Sequence, residues 1–272
     1  MPVDMTKSRF IFLLVILCFF SSSEIFAFVP DSKNLLNFML KKKGSCGAYF
    51  SAENSDIFSF EGDNISEAKI DLYYSCSGYF RAQWETGAKM LYMESLTSAM
   101  TVLGDEAVSK NPSEYFLFKD IFWLSDGEKL MELLYKRGCD LSKVRFDKMD
   151  GRICYVIGEI DKNSKKDQAE LWIDKESFLP YFYNLIFKGG ESSFKFRHYF
   201  KSGGLVYPKT TEIFIKDVLT RKIDVNFLNS SFEPDSSNFF IIDKFLNLYK
   251  KSDSGFEDEF IGGSDSIEKI FE

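Results

Sequence analysis

The sequence has 272 residues, 45% of them hydrophobic and 28% charged, which suits one large domain or two small ones with a sizeable core. A formal net charge of -7 excludes a nucleic-acid backbone binder, which needs a basic face. Phenylalanine is over-used, at 30 residues. It signals a Phe-rich core or a Phe-lined cavity for an apolar ligand, and composition alone favours the core.

The first element reads as a secretory signal. Lys7 and Arg9 form a positive start, and Phe10 to Phe20 is an apolar run too short to span a bilayer comfortably. Cleavage is expected after Ala27. Cys18 follows the large residues Ile16 and Leu17, so a soluble secreted chain is expected rather than a lipid-modified one. No later apolar run has the length of a transmembrane helix.

Asp31 reads as the N-cap of a helix over about 32 to 43. Leu35, Leu36, Met39 and Leu40 form its apolar face, and three lysines in the last turn suit its dipole. Gly44 ends it. A meander of strands follows, dense in Tyr, Phe, Ile and Ser, with a turn at 61 to 64 and two short strands within 88 to 106. Mid-chain the period changes. Asn111 and Pro112 open a helix through Trp123, with Tyr115, Phe118, Ile121 and Phe122 on one face. Ser125 and Glu128 have capping-box spacing for a second helix, striped by Leu130, Leu133 and Leu134 and ended by Gly138. Strands then resume, with a hairpin turn at Asp150-Gly151 and further breaks at Gly203-Gly204 and Leu219-Thr220. Pro180 suits an edge or bulge in a strand that is apolar on both faces. From about 251 an acidic Gly/Ser-rich tail follows a short helix at about 240 to 250.

Catalytic chemistry is sparse. The single histidine, His198, lies by strand alternation beside Phe194, Phe196 and Phe200 and reads as a wall residue rather than a triad member or metal ligand. Nucleophile-elbow, dinucleotide and Walker-type motifs are missing. The stretch from Asp161 starts like a calcium loop but has Lys166 and Trp172 where Gly and Glu are required. Asp174 and Glu176 could form an acid/base pair, but the tight turn around Lys175 makes them the wet tip of a hairpin. Beyond the signal, Cys46, Cys76, Cys139 and Cys154 allow three pairings. The turns between them favour Cys46–Cys76 and Cys139–Cys154, in an oxidising compartment.

Three stretches carry a resemblance: "GYFRAQW" at 78 to 84, "GRICYVIGEI" leading into "LWIDKESFLP" at 151 to 180, and "GGLVYPKTTEIF" at 203 to 214. With the signal, the first helix and the mid-chain helices, the chain resembles the LolA-like periplasmic carriers of outer-membrane lipoproteins over about 31 to 240. The resemblance implies an α+β, β-dominated fold: an incompletely closed antiparallel barrel of about eleven strands, with helices as a lid over an apolar cavity. It divides the chain into a signal peptide at 1–27, a lipid- or lipoprotein-binding domain at 28–240, and a short helix with an acidic tail at 241–272.

The function implied is that of a soluble periplasmic carrier, not an enzyme, moving lipoprotein acyl chains or another lipid from the inner toward the outer membrane. Its implied partners are acylated cargo, an inner-membrane transporter or release complex, and an outer-membrane acceptor. No nucleic acid, cofactor or metal is expected. Phe80, Trp84, Phe116, Phe118 and Phe122 are candidate cavity residues, together with Trp123, Leu130, Leu134, Trp172 and Phe196. The chain departs from the family where a basic lid-latching residue is expected, since Cys76 stands there. A lipid-sensing or transporter-associated module on the same scaffold is the alternative, and a secreted hydrolase is a remote one.

Overall fold

The computed structural model describes residues 29–44, 50–74, 80–84, 89–93, 98–103, 106–109, 114–161, 163–187 and 190–232. The expected signal peptide, the C-terminal helix and tail, and both Cys46 and Cys76 lie outside the described residues.

Helix α1 spans Ser32–Lys43. Asp31 caps it by accepting from the Asn34 amide at 2.8 Å, and Gly44, at φ 78°, closes it by donating to the Leu40 carbonyl. Leu35, Leu36, Met39 and Leu40 are buried as their spacing requires. Lys43 departs from the expected pattern, because it is buried rather than solvated at the helix end.

Six strands follow in a meander: β1 (Phe50–Glu61), β2 (Asn64–Tyr74), β3 (Phe80–Trp84), β4 (Lys89–Met93), β5 (Ser98–Leu103) and β6 (Glu106–Ser109). β4 and β5 are the two short strands expected within 88 to 106, and β6 begins at the last residue of that stretch. Seven more come after the mid-chain helices: β7 (Val144–Met149), β8 (Arg152–Ile157), β9 (Gln168–Asp174), β10 (Pro180–Phe187), β11 (Gly190–Ser202), β12 (Leu205–Ile215) and β13 (Val218–Phe232). Turn chemistry sets the tight hairpins. Asp150 and Gly151 both have positive φ between the paired residues Met149 and Arg152, as a two-residue hairpin demands. The break expected at Leu219-Thr220 falls instead at Lys216 and Asp217, which adopt φ 51° and 64°. Pro180 opens β10, where no ladder donor is needed, and a bulge follows it before Phe182.

Among the described residues the strands form one antiparallel sheet of thirteen, in the order β6-β5-β4-β3-β2-β1-β13-β12-β11-β10-β9-β8-β7. This corrects the expected count of about eleven. The sheet is open, with β6 and β7 as its two edges. The two meanders are joined by pairing of β1 with β13, as at Ile57 with Ile223.

The mid-chain helices are shorter than their periodicity suggests. A 3₁₀ turn at Glu114–Phe116 precedes α2, Lys119–Trp123, and α3 spans Gly127–Lys136. The proposed cap residues Asn111 and Pro112 lie outside the described residues. Asp126, not Ser125, caps α3 by accepting from the Glu128 and Lys129 amides. Leu130, Leu133 and Leu134 are buried as expected. α3 packs on α1 so closely that a side chain at Gly127 would meet Asn37 and Leu40.

The expected Cys139–Cys154 disulfide is absent, and both thiols are free and buried. Cys139 follows α3 and points its thiol at the Ile157 carbonyl, 3.6 Å away, at the far end of β8. Cys154 packs three residues back, with Val156, Trp172 and Tyr181. Three residues of strand span about 10 Å, more than a disulfide bridges. Burial pushes both thiols up to about 12.

Candidate functional site

The residues singled out from the sequence mostly converge on the helix-covered face of the sheet. Alternation along β3 turns Phe80 and Trp84 to the same side, and Phe116 packs against both, at 5.6 and 6.1 Å between ring centroids. Phe118 lies 5.2 and 5.7 Å from Phe194 and Phe196 on β11. Phe122 meets Phe196 and Tyr207 edge-on, each at 5.0 Å. Trp123 stacks between Tyr74 of β2 and Tyr207 of β12. Tilted and edge-to-face pairs of this kind add about 0.5–1.5 kcal/mol each beyond their buried area. Segment 114–124 thus lays its own aromatic side chains onto the aromatic face of the sheet.

Leu130 and Leu134 are buried on the stripe of α3. Trp172 does not join the group. It points from β9 to the opposite face, in a cluster with Cys154, Val156 and Tyr181. Tyr183, paired with the adjacent Leu171, faces the helices. The period-2 pattern of β9 was readable, but every residue of that strand is buried, so composition could not tell its two faces apart.

His198 is exposed, at φ 54°, and not in the wall with Phe194 and Phe196. Asp174 is buried rather than wet. It accepts from the Ser177 amide at 2.8 Å, the Ser177 hydroxyl at 2.7 Å and the Glu176 amide at 3.2 Å. Burial pushes its carboxyl up, but these bonds and Arg152 hold it below the ordinary carboxylate range. It is a turn-former, and no group of three or more His, Cys, Asp or Glu side chains that could hold a metal occurs among the described residues.

Sequence reasoning missed the polar groups that fasten the aromatic segment. Lys119 of α2 donates to Glu53 of β1 at 2.9 and 3.0 Å and to the Tyr207 hydroxyl at 2.7 Å. Its ammonium also lies within 5.1 to 5.7 Å of the Phe118, Trp123 and Tyr207 ring centroids. Glu53 accepts in addition from Ser55 at 2.6 Å and from Tyr74 at 3.4 Å. Burial pulls the Lys119 ammonium down, and Glu53 pulls it back up. Next to it, Asp120 accepts from Arg137 at 2.6 Å. Burial raises the Asp120 carboxyl to about 6 in spite of that partner. Arg137 also donates to the Leu117 carbonyl and the Tyr183 hydroxyl.

Lys43 makes the third fastening. From the end of α1 it reaches the carbonyls of Phe122 and Leu124, both at 2.7 Å, and of Ile121 at 3.3 Å. These carbonyls lie at or just past the C-terminal end of α2, where a helix leaves acceptors unsatisfied. Burial lowers Lys43 to about 7. The indole N–H of Trp123, by contrast, is buried without an acceptor. The sequence signal for this apparatus was the Lys119-Asp120 doublet, two charges inside an otherwise apolar run from Tyr115 to Leu124.

A LolA superfamily protein of Nitrosomonas europaea superposes with a TM-score of 0.52 at 11% identity, over 76% of this chain and 96% of the other. The fold is LolA-like. A DUF1329 family protein from Desulfovibrio piger gives 0.52 at 15% identity, over 77% and 95%. A putative outer membrane lipoprotein-sorting protein domain from Vibrio parahaemolyticus gives 0.50 at 14%, over 79% and 99%. No protein-family model and no curated protein matches the sequence. The helices here cover one face of the sheet and fill it with Phe and Trp. No helix among the described residues is long and apolar enough to cross a membrane.

Proposed function

We propose that this protein is a periplasmic carrier that takes up lipoprotein acyl chains, or the chains of another lipid, on the helix-covered face of its sheet. Segment 114–124 acts as the lid and leaves the face when cargo enters. The observation that carries this reading is the aromatic segment itself. It is a plug of Phe116, Phe118, Phe122 and Trp123, laid over an aromatic floor and fastened by the Lys119–Glu53 and Arg137–Asp120 pairs and by Lys43.

The energetics suit exchange. A buried methylene is worth about 0.8 kcal/mol, so a long acyl chain supplies about 10 kcal/mol before costs. That is comparable with the aromatic contacts and the buried ion pairs it would replace. The closed state also carries a defect, since an unpaired buried donor such as Trp123 Nε1 costs about 1–3 kcal/mol. Lys43 supplies, from a different element, a basic latch in place of the one that the family resemblance implies where Cys76 stands.

In the wider scheme the carrier collects cargo at an inner-membrane transporter or release complex and delivers it to an outer-membrane acceptor. The test is native mass spectrometry of the protein purified from a periplasmic fraction, with titration of a fluorescent acylated probe. Bound lipid and saturable probe binding are expected. A lipid-free protein that binds no acylated probe would overturn the proposal.

A further inference from the structure

The three fastenings of α2 are not equivalent, and the difference points to the headgroup of the cargo. Lys43 and Arg137 grip groups that belong to the segment itself: the carbonyls of Ile121, Phe122 and Leu124, and the carboxylate of Asp120. When the segment moves, those acceptors move with it. Lys119 is the reverse case. It is carried by α2, and everything polar that receives it belongs to the sheet: Glu53 on β1 and Tyr207 on β12.

The receiving site is organised without α2. Ser55 donates to one oxygen of Glu53 at 2.6 Å and Tyr74 donates to the other at 3.4 Å, both from the sheet. The Tyr207 ring lies 5.2 Å from the ammonium, so one side chain offers both a hydroxyl and a π face. The side chains of Glu53 and Lys119 are 0% and 1% exposed. Withdrawing Lys119 would leave a carboxylate unpaired on an aromatic floor, a state that costs far more than either partner's share of the pair. Cargo that brings its own cation removes that cost, and cargo that does not must bear it.

We infer that Lys119 is a built-in stand-in for the cargo, and that Glu53, Tyr74 and Tyr207 form a site for the primary ammonium of an amphiphile. This rests on the lid reading given above. A primary ammonium fits better than a quaternary one, because Glu53 and the Tyr207 hydroxyl accept N–H donors. The ammonium has two chemical sources, an ethanolamine phospholipid or the free α-amine of a diacylated peptide.

Four probes separate the outcomes: dioctanoyl phosphatidylethanolamine against phosphatidylcholine, and a diacylated lipopeptide with a free against an acetylated α-amine. A preference of about tenfold or more for the ammonium member of either pair is expected, since hydrogen bonds to charged groups are worth that much. The pair that shows it names the source. Glu53→Gln should reduce the preference to about twofold or less, without abolishing binding of the other member. Equal binding within both pairs would overturn the inference and leave the lipid-carrier reading standing. Binding of none of the four would overturn both. Should Glu53→Gln not fold, Lys119→Ala decides. Millimolar n-butylammonium should raise its melting temperature while tetramethylammonium does not, and equal effects of the two would sink the ammonium site.

Discussion

Lys43 Nζ donates to the Phe122 carbonyl at 2.7 Å, so the last residue of α1 holds the end of α2 across 79 positions of sequence. The lysine has no carboxylate among its hydrogen-bond acceptors, which are the carbonyls of Ile121, Phe122 and Leu124. Burial lowers it from 10.5 to about 7. Between those values the unfolded chain holds more protons than the folded one, so this group makes stability rise with pH across the window. The shift corresponds to at most about 5 kcal/mol, present in full above 10.5 and lost as pH falls from there to about 7. Urea unfolding at pH 6, 8 and 9.5 should show the wild type gaining on Lys43→Met with rising pH. The same sign applies locally, so acyl-probe uptake should quicken as pH falls from about 10.5 toward 7 in the wild type, level off below 7, and be flat in Lys43→Met.

Glu53 and Lys119 should be strongly coupled. Glu53→Gln strands a buried ammonium, and Lys119→Met strands a buried carboxylate. Each should cost about 3–5 kcal/mol, while the double variant should cost much less than their sum. Denaturant midpoints of the four proteins give the coupling energy. Strict additivity would show that the pair does not fasten the segment.

Trp172 and Phe118 should separate stability from binding. Both are large buried aromatics, and truncation to Ala should cost each about 3–5 kcal/mol. Phe118 contacts Phe194 and Phe196 beneath the proposed lid, and Trp172 lies on the other face. Phe118→Ala should therefore change the affinity or the rate of acyl-probe binding, and Trp172→Ala should change neither. Equal effects on the probe would put the cargo somewhere else.

Cys139 and Cys154 should stay reduced. Burial raises both thiols to about 12, so iodoacetamide at pH 8 should leave their peptides unlabelled in the native protein. After denaturation without reductant, both should label. A Cys139–Cys154 cross-linked peptide from the oxidised protein would contradict the structure.

Asp174→Ala should cost about 1–2 kcal/mol, the worth of a turn-capping carboxylate, with no change in probe binding. Its carboxyl is held below the ordinary 3.8. Its contribution is therefore fully present above that value and lost as pH falls through the lower folded value. Thermal melts at pH 6 and pH 2.5 should find the wild type and the variant converging at the acidic end.

Much of the fold was legible because its determinants are local. The α1 cap at Asp31, the stripe of α3 and the Asp150-Gly151 turn each follow from neighbours within a few residues. The candidate site was half legible. A run such as Tyr115 to Leu124 announces burial, and Phe116, Phe118, Phe122 and Trp123 do gather on one sheet face. What stayed hidden was partnership. Nothing near Lys43 in sequence says that it will cap a helix far along the chain. Nothing near Glu53 says that it will meet Lys119. Trp172 packs apart from the other candidates for a related reason, since a strand buried on both faces gives no clue to which face is which.

The strand order has a kinetic corollary. Within each half of the sheet every strand pairs with its chain neighbour, β1 through β6 and β7 through β13, so each half can zip up by short loop closures. One seam alone is remote, where Phe50 lies opposite Phe232. A chain that emerges N-terminus first must keep the bare edge of β1 unpaired until β13 arrives, which makes that edge the point where chaperone binding or strand exchange between copies would strike first. A circular permutant opened between β6 and the 3₁₀ turn would make that seam local, and should fold faster than the native order.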